Sequence, residues 1–151
     1  MSLKGKVGTE IEIKSPPEKY YNIFKGQAYH VPNAAPDHIQ GVDVHEGDWE
    51  THGSVKIWKY TLEGKSGLVF KEKVEYDDAN RSATLVGVDG DIMQEYKTFK
   101  ATYQVVPKGT GSLAKLNIEY EKLREDVPAP DKYITLMVNI TKGIDEHITK
   151  A

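Results

Sequence analysis

His45 and Glu46 lead into an acidic, glycine-bearing stretch, EGDWETHGS at 46–54. A His-Glu pair opens the zinc-protease pattern H-E-x-x-H, in which two histidines one helical turn apart share a metal. The second histidine belongs at 49, and Trp49 stands there. The segment also reads as the end of a strand, where no two-histidine helical face exists. His45, Asp48, Glu50 and His52 are therefore expected on a solvated loop, and no metal or other cofactor is implied. Gly64-Lys65-Ser66 imitates the tail of a phosphate loop. The first glycine of that motif belongs at 59, where Lys59 stands, and no helix follows to offer its N-terminus to a phosphate. This reads as a hairpin turn. The charges of Glu46, Asp48 and Glu50 also disfavour an anion at the 46–54 loop.

Composition narrows the chemistry further. The chain has 151 residues, 38% hydrophobic and 28% charged, which suits one globular domain over 1–151. Its net charge of −3 gives no basic face for nucleic acid. The absence of cysteine removes disulfides and thiol chemistry. MSLKGKVGTE has no apolar run to act as a signal peptide, and no stretch approaches the roughly 20 apolar residues of a membrane span. The expectation is a soluble cytoplasmic protein without membrane insertion.

The elements follow from periodicity. Residues 4–14 alternate, with Val7, Thr9, Ile11 and Ile13 on one face. Ser15-Pro16-Pro17-Glu18 reads as a capping box opening a short helix at about 16–25, ended by Gly26. Residues 27–40, with two prolines, read as a second short, irregular helix. Strands are expected at 41–47, 53–62, 67–76, 81–88, 92–106 and 111–122, with short turns that imply antiparallel pairing. Apolar residues then recur at helical spacing from 131 to 150. The plan is α+β: a curved seven-stranded antiparallel sheet wrapped around a long C-terminal helix, with two short helices after the first strand.

A twisted sheet curves away from a straight helix. Alternation points Trp58, Tyr60, Phe70 and Leu85 inward, with Phe99, Tyr103 and Ile118 from later strands. Ala83, Gly87 and Ala101 are small. Tyr133, Met137, Ile140 and Ile144 form the facing stripe of the helix. Either those large residues fill the gap, or a cavity remains.

The element order, the glycine loop after the second strand, and the stretches VKIWKYTLEGKSG, YKTFKATYQVVPKG and GSLAKLNIEYEKL resemble the plant major latex protein family. That family belongs to the Bet v 1 (birch pollen allergen) superfamily, with the pathogenesis-related class ten proteins. The resemblance covers essentially the whole chain. It implies a START-like helix-grip fold around a large apolar cavity. It also implies non-enzymatic binding or carriage of lipids, fatty acids, lysophospholipids, sterols or plant hormones, tied to defence or stress. Where the pollen-allergen branch is richer in glycine, Glu50, Thr51 and His52 occupy the centre of the 46–54 loop, which reads as a fixed turn beside a cavity entrance.

Other roles attached to that superfamily find less support in the residues. No histidine pair is placed for ribonuclease chemistry. Glu95 and Lys97, in phase with Phe99 and Tyr103, are the pair that a condensing or cyclase enzyme would use, and a storage protein is the third alternative. His147 extends the helical stripe in the last turn, where the helix dipole favours a protonated imidazole. It reads either as a hydrogen-bond donor to an anionic head at one end of the cavity or as a surface residue. Gly143, one turn back, would make space beside it. His30 and Tyr21, in the short helices that flank the family's entrance, are candidates for contacts at the mouth. The expected partner is a small hydrophobic or amphipathic molecule bound by a monomer.

Overall fold

The computed structural model describes residues 3–150. Residues 1, 2 and 151 of the expected domain lie outside them. The order is β1 (Lys4–Ile13), α1 (Pro17–Phe24), a 3₁₀ turn (Ala28–His30), α2 (Val31–Ala34), β2 (Ile39–Glu46), β3 (Val55–Leu62), β4 (Lys65–Asp77), β5 (Ser82–Gly90), a second 3₁₀ turn (Ile92–Gln94), β6 (Tyr96–Lys108), β7 (Gly111–Lys122) and α3 (Asp131–Thr149). The seven strands form one antiparallel sheet in the order β1-β7-β6-β5-β4-β3-β2. α1 and α2 connect its two edge strands. Register shifts after Ile39, Val44, Tyr60, Lys71 and Tyr96 mark bulges that bend it. The curved, helix-gripping α+β plan read from the sequence is the architecture observed.

Two local readings need correction. Ser15 does not cap α1, whose N-cap is Pro16 with no side-chain hydrogen bond. Its hydroxyl and N–H donate instead to the Asp145 carboxylate, joined there by the N–H of Lys14. Glu18, the other half of the expected capping box, pairs with Arg81. Residues 92–94 are a 3₁₀ turn rather than strand. The Asp91 carboxylate accepts from the N–H of Val69, and the Asp91 N–H donates to the carbonyl of Val69. Gly90 makes this approach possible, because a Cβ there would fall 2.1 Å from the Val69 oxygen.

α3 is fastened through its second half. Asp145 holds the end of β1, and the buried hydroxyls of Tyr20 and Thr141 bond at 2.8 Å. A Cβ on Gly143 would sit 2.5 Å from the carbonyl oxygen of Ala34. That glycine is there for close approach to α2, not for space beside His147. Gly143→Ala improves helix propensity by about 1 kcal/mol, yet is expected to destabilise the fold by about 1–3 kcal/mol through the clash. Gly41→Ala, with nothing within 4 Å of its Cβ, is expected to stay within about 0.5 kcal/mol of the parent. Urea denaturation of both checks this; equal stabilities would contradict the close-approach role.

Candidate functional site

Inward residues of the sheet meet the first half of α3. Trp58 and Tyr60 on β3, Phe70 on β4, Leu85 on β5, and Phe99, Ala101 and Tyr103 on β6 face Tyr133, Leu136, Met137 and Ile140. Phe24, Val31, Ile39 and Ile92 complete the wall. The rings brace one another: Phe24 stacks on Tyr103 at 4.3 Å, and Phe99 meets Phe70 and Tyr133 edge-on at 5.9 and 5.4 Å. What remains between them is an apolar cavity of about 70 Å³. Ligand pockets commonly run to 300–1,000 Å³. Both alternatives for the interior are therefore realised in part: large side chains fill most of it, and an apolar void is left.

Nine of the residues read as ligand-facing line this cavity: Trp58, Tyr60, Phe70, Leu85, Phe99, Tyr103, Tyr133, Met137 and Ile140. The rest are placed elsewhere. Ile144 and Ile118 are fully buried in the core but do not line the cavity. His147 is exposed, and it stands in an outer groove with His30, their rings 5.7 Å apart. The stripe fails at this end because the last turns of α3 dock against α1 and α2 and not over the void. Tyr21 is also outside the cavity, its hydroxyl donating to Asp78 at 2.6 Å. The wall residues absent from the sequence reading had a faint signal. Leu136 completes the i, i+3, i+4, i+7 set with Tyr133, Met137 and Ile140, whereas Ile92 depends on the unforeseen 3₁₀ turn.

Tyr60 and Tyr133 belong both to the cavity and to a polar groove outside it. Leu62, Glu63 and Lys65 of the β3–β4 hairpin, with Asp91, Gln94, Glu95 and Lys132, frame that groove. Burial pushes the Tyr133 phenol up to about 12, and pushes Tyr60 higher still. Both stay neutral at physiological pH. The Tyr60 hydroxyl is buried and turned toward the Tyr133 hydroxyl. Glu95 belongs to this groove, while Lys97 is exposed and reaches Glu121, so the two do not converge on the cavity.

The 46–54 loop covers the other end of β3. Asp48 accepts from the N–H groups of Glu50 and Thr51 and from the Thr51 hydroxyl, which closes a tight turn. Gly47, at φ 82°, lies so close to Ser54 that a Cβ would meet its hydroxyl oxygen at 2.3 Å. His52 Nδ1 accepts from the N–H of Tyr76. These bonds fix a turn, but they set it away from the groove at Tyr60 and Tyr133.

Beneath that turn lies a pair that the sequence reading passed over. Lys56 and Glu72 are direct cross-strand partners, 2% and 0% exposed. The Trp58 indole N–H donates to Glu72 Oε2 at 3.3 Å, and Oε1 has no partner among the described residues. Burial pushes the Glu72 carboxyl up to about 7, against the opposing pull of the Lys56 charge and the Trp58 bond. Burial also lowers the Lys56 pKa from its ordinary 10.5. Strand parity held the clue: Lys56 shares a face with Trp58 and Tyr60, and Glu72 shares one with Phe70 and Val74.

The raised Glu72 value has a definite sign. Its folded pKa of about 7 exceeds the ordinary 4.5, so folding takes up a proton between the two. The stability linked to this group is fully present below about pH 4.5 and is lost as pH rises through about 7. Relative to Glu72→Gln, the parent protein is expected to lose on the order of 1–3 kcal/mol between pH 5 and pH 8. Urea titrations at each pH read this directly. Parallel stability curves for the two proteins would contradict it.

Comparison with known proteins agrees with this architecture. Residues 2–151 match the model of the Pathogenesis-related protein Bet v 1 family. MLP-like protein 43 of Arabidopsis thaliana is 44% identical over 150 residues, covering 97% of this chain and 94% of that one. MLP-like protein 28 of the same plant is 43% identical over 150 residues and longer: the match covers 97% of this chain but 44% of that protein. The crystal structure of ginseng major latex-like protein 151 from Panax ginseng superposes with a TM-score of 0.93 at 35% identity, over 97% of this chain and 98% of that one. With its helix-grip sheet, its apolar interior and these relatives, the chain belongs to the Bet v 1 family, among the major latex proteins.

Proposed function

We propose that this protein is a carrier of a hydrophobic or amphipathic small molecule, held between the first half of α3 and the concave sheet. The observation that carries this reading is the apolar cavity walled by Trp58, Tyr60, Phe70, Leu85, Phe99, Tyr103, Tyr133, Met137 and Ile140. A lipid, fatty acid, lysophospholipid, sterol or plant hormone presents the surface such a wall accepts. At about 70 Å³ the cavity is under half of an engineered 150 Å³ void that holds benzene in another protein. Binding therefore requires the wall to move. Tyr60 and Tyr133, between cavity and groove, are the side chains whose rotation opens a path.

Carriage needs burial and release rather than bond chemistry, and an apolar wall whose phenols stay neutral suits that task. Family membership supports placing this carriage in plant defence or stress. The chain is taken to work as a monomer in the cytoplasm, an expectation that rests on the family alone. No helix among the described residues is long and apolar enough to cross a membrane.

The reading is tested by displacing an environment-sensitive neutral dye with apolar ligands. Ala101→Leu puts about three methylene-sized groups into the cavity and is expected to weaken dye binding at least tenfold, with far-ultraviolet circular dichroism unchanged. His147→Ala, outside the cavity, is expected to leave binding as it was. Unchanged binding by Ala101→Leu would place the dye, and the function, elsewhere.

A further inference from the structure

β1 ends the sheet on one side, and its 10 residues pair with β7 without a register shift. Lys122 donates its N–H to the carbonyl of Leu3 at 2.8 Å. Antiparallel partners alternate between hydrogen-bonded and non-bonded sites. The backbone groups of Gly5, Val7, Thr9, Ile11 and Ile13 therefore turn to β7, and those of Lys4, Lys6, Gly8, Glu10 and Glu12 turn outward along the edge. A long regular edge templates another strand, and folds usually blunt it with bulges, proline or charge. β2, at the opposite edge, follows that rule. Its pairing slips after Ile39 and Val44, and it carries Asp43 and Glu46 with no lysine. β1 has neither bulge nor proline, and its charges are of both signs, sorted by position.

That order is self-complementary. Lys4 and Lys6 precede Gly8 and Glu10 and Glu12 follow it, all four exposed on the outer face. With a second copy laid antiparallel about Gly8, Lys4 falls opposite Glu12, Lys6 opposite Glu10, and Gly8 opposite its own counterpart. Every outward residue then meets an outward residue, and the two strands exchange about ten N–H···O bonds. A slip of two residues puts Lys6 or Glu10 opposite Gly8, and a slip of four sets Lys6 on Lys6 or Glu10 on Glu10. A parallel copy in register sets like on like throughout, which is destabilising. β7 extends the pattern. Lys6 stands 3.9 Å from Glu119, and Glu10 3.9 Å from Lys115. The row across the seam reads Glu119, Lys6, Glu10, Lys115, with signs alternating. On the concave face the half-buried Val7 and Ile11 gain Thr9 and Gly5 as cross-strand neighbours. We propose that β1 is the docking edge for a second copy of this chain, paired antiparallel about Gly8 so that one sheet runs through both. No residue of β1 lines the cavity, so this pairing is independent of the carrier reading. The edge is narrow and its charges are exposed, which sets a weak association with Kd on the order of 0.1 mM. The monomer taken for carriage is the dilute state of that equilibrium.

Sedimentation velocity on the full chain tests this with two charge reversals. The native protein is expected to shift from monomer to dimer between about 10 μM and about 1 mM. Lys6→Glu places Glu opposite Glu10 at both ends of the seam, and Glu10→Lys places Lys opposite Lys6. Each variant alone is expected to associate at least about tenfold more weakly than the native chain. Mixed in equal amounts, the two are complementary again at both positions, and a dimer of native strength or better is expected. A native chain that stays monomeric at about 1 mM overturns the proposal. A dimer that either reversal leaves intact lies on another face and overturns it too, as does a mixture no stronger than its parts. Should a variant not fold, amide hydrogen exchange of the native chain decides. The N–H groups of Lys6, Gly8, Glu10 and Glu12 are expected to slow as concentration rises, while those of Val7 and Thr9, already turned to β7, do not change. Outward amides that exchange at the same rate at every concentration overturn the pairing.

Discussion

α3 is pinned along its second half and set against a void along its first. Asp145 ties down the end of β1, Thr141 meets Tyr20, and Gly143 admits the backbone of Ala34. The bent sheet closes on the helix there and draws away from Tyr133, Leu136, Met137 and Ile140. A rigid helix cannot follow a curved sheet along its whole length. Once one half is fixed, the position of the cavity is fixed with it. The same constraint puts His147 outside, since the last turn belongs to the docked half.

The interior that results is aromatic and nearly full. Edge-on and stacked rings hold their places through specific contacts worth about 0.5–1.5 kcal/mol each beyond burial. Polar groups are kept to two ends. At one, the Tyr60 and Tyr133 phenols face a groove that reaches solvent. At the other, Lys56 and Glu72 sit under a turn locked by Asp48.

Much of this was legible from residue patterns. Alternation along 53–62, 81–88 and 111–122 placed the inward faces of the sheet, and helical spacing from Asp131 gave α3. Trp58, Phe99, Met137 and Ile140 followed from those two periods. What failed has physical causes. Ser15 looked like a helix cap because its type and its spacing to Glu18 fit a local rule, but a contact 130 residues away claimed its hydroxyl. His147 followed the stripe correctly, and the stripe outran the cavity, since spacing shows which way a helix faces and not what it faces. Lys56 and Glu72 were passed over because charge in a strand is usually read as solvent exposure, although parity with Trp58 and Phe70 pointed inward. The volume left between rings depends on packing that no periodicity carries.

The central claim is that ligand enters between the first half of α3 and the sheet. Methyl-resolved NMR of the full chain titrated with naphthalene tests it most directly. Met137, Ile140, Leu85 and Ile39 methyl resonances should shift together and saturate, while Ile148, beside His147, and Val88, on the outer face, stay in place. Shifts confined to Ile148, with Met137 and Ile140 unmoved, would put the binding site in the outer groove and contradict the account.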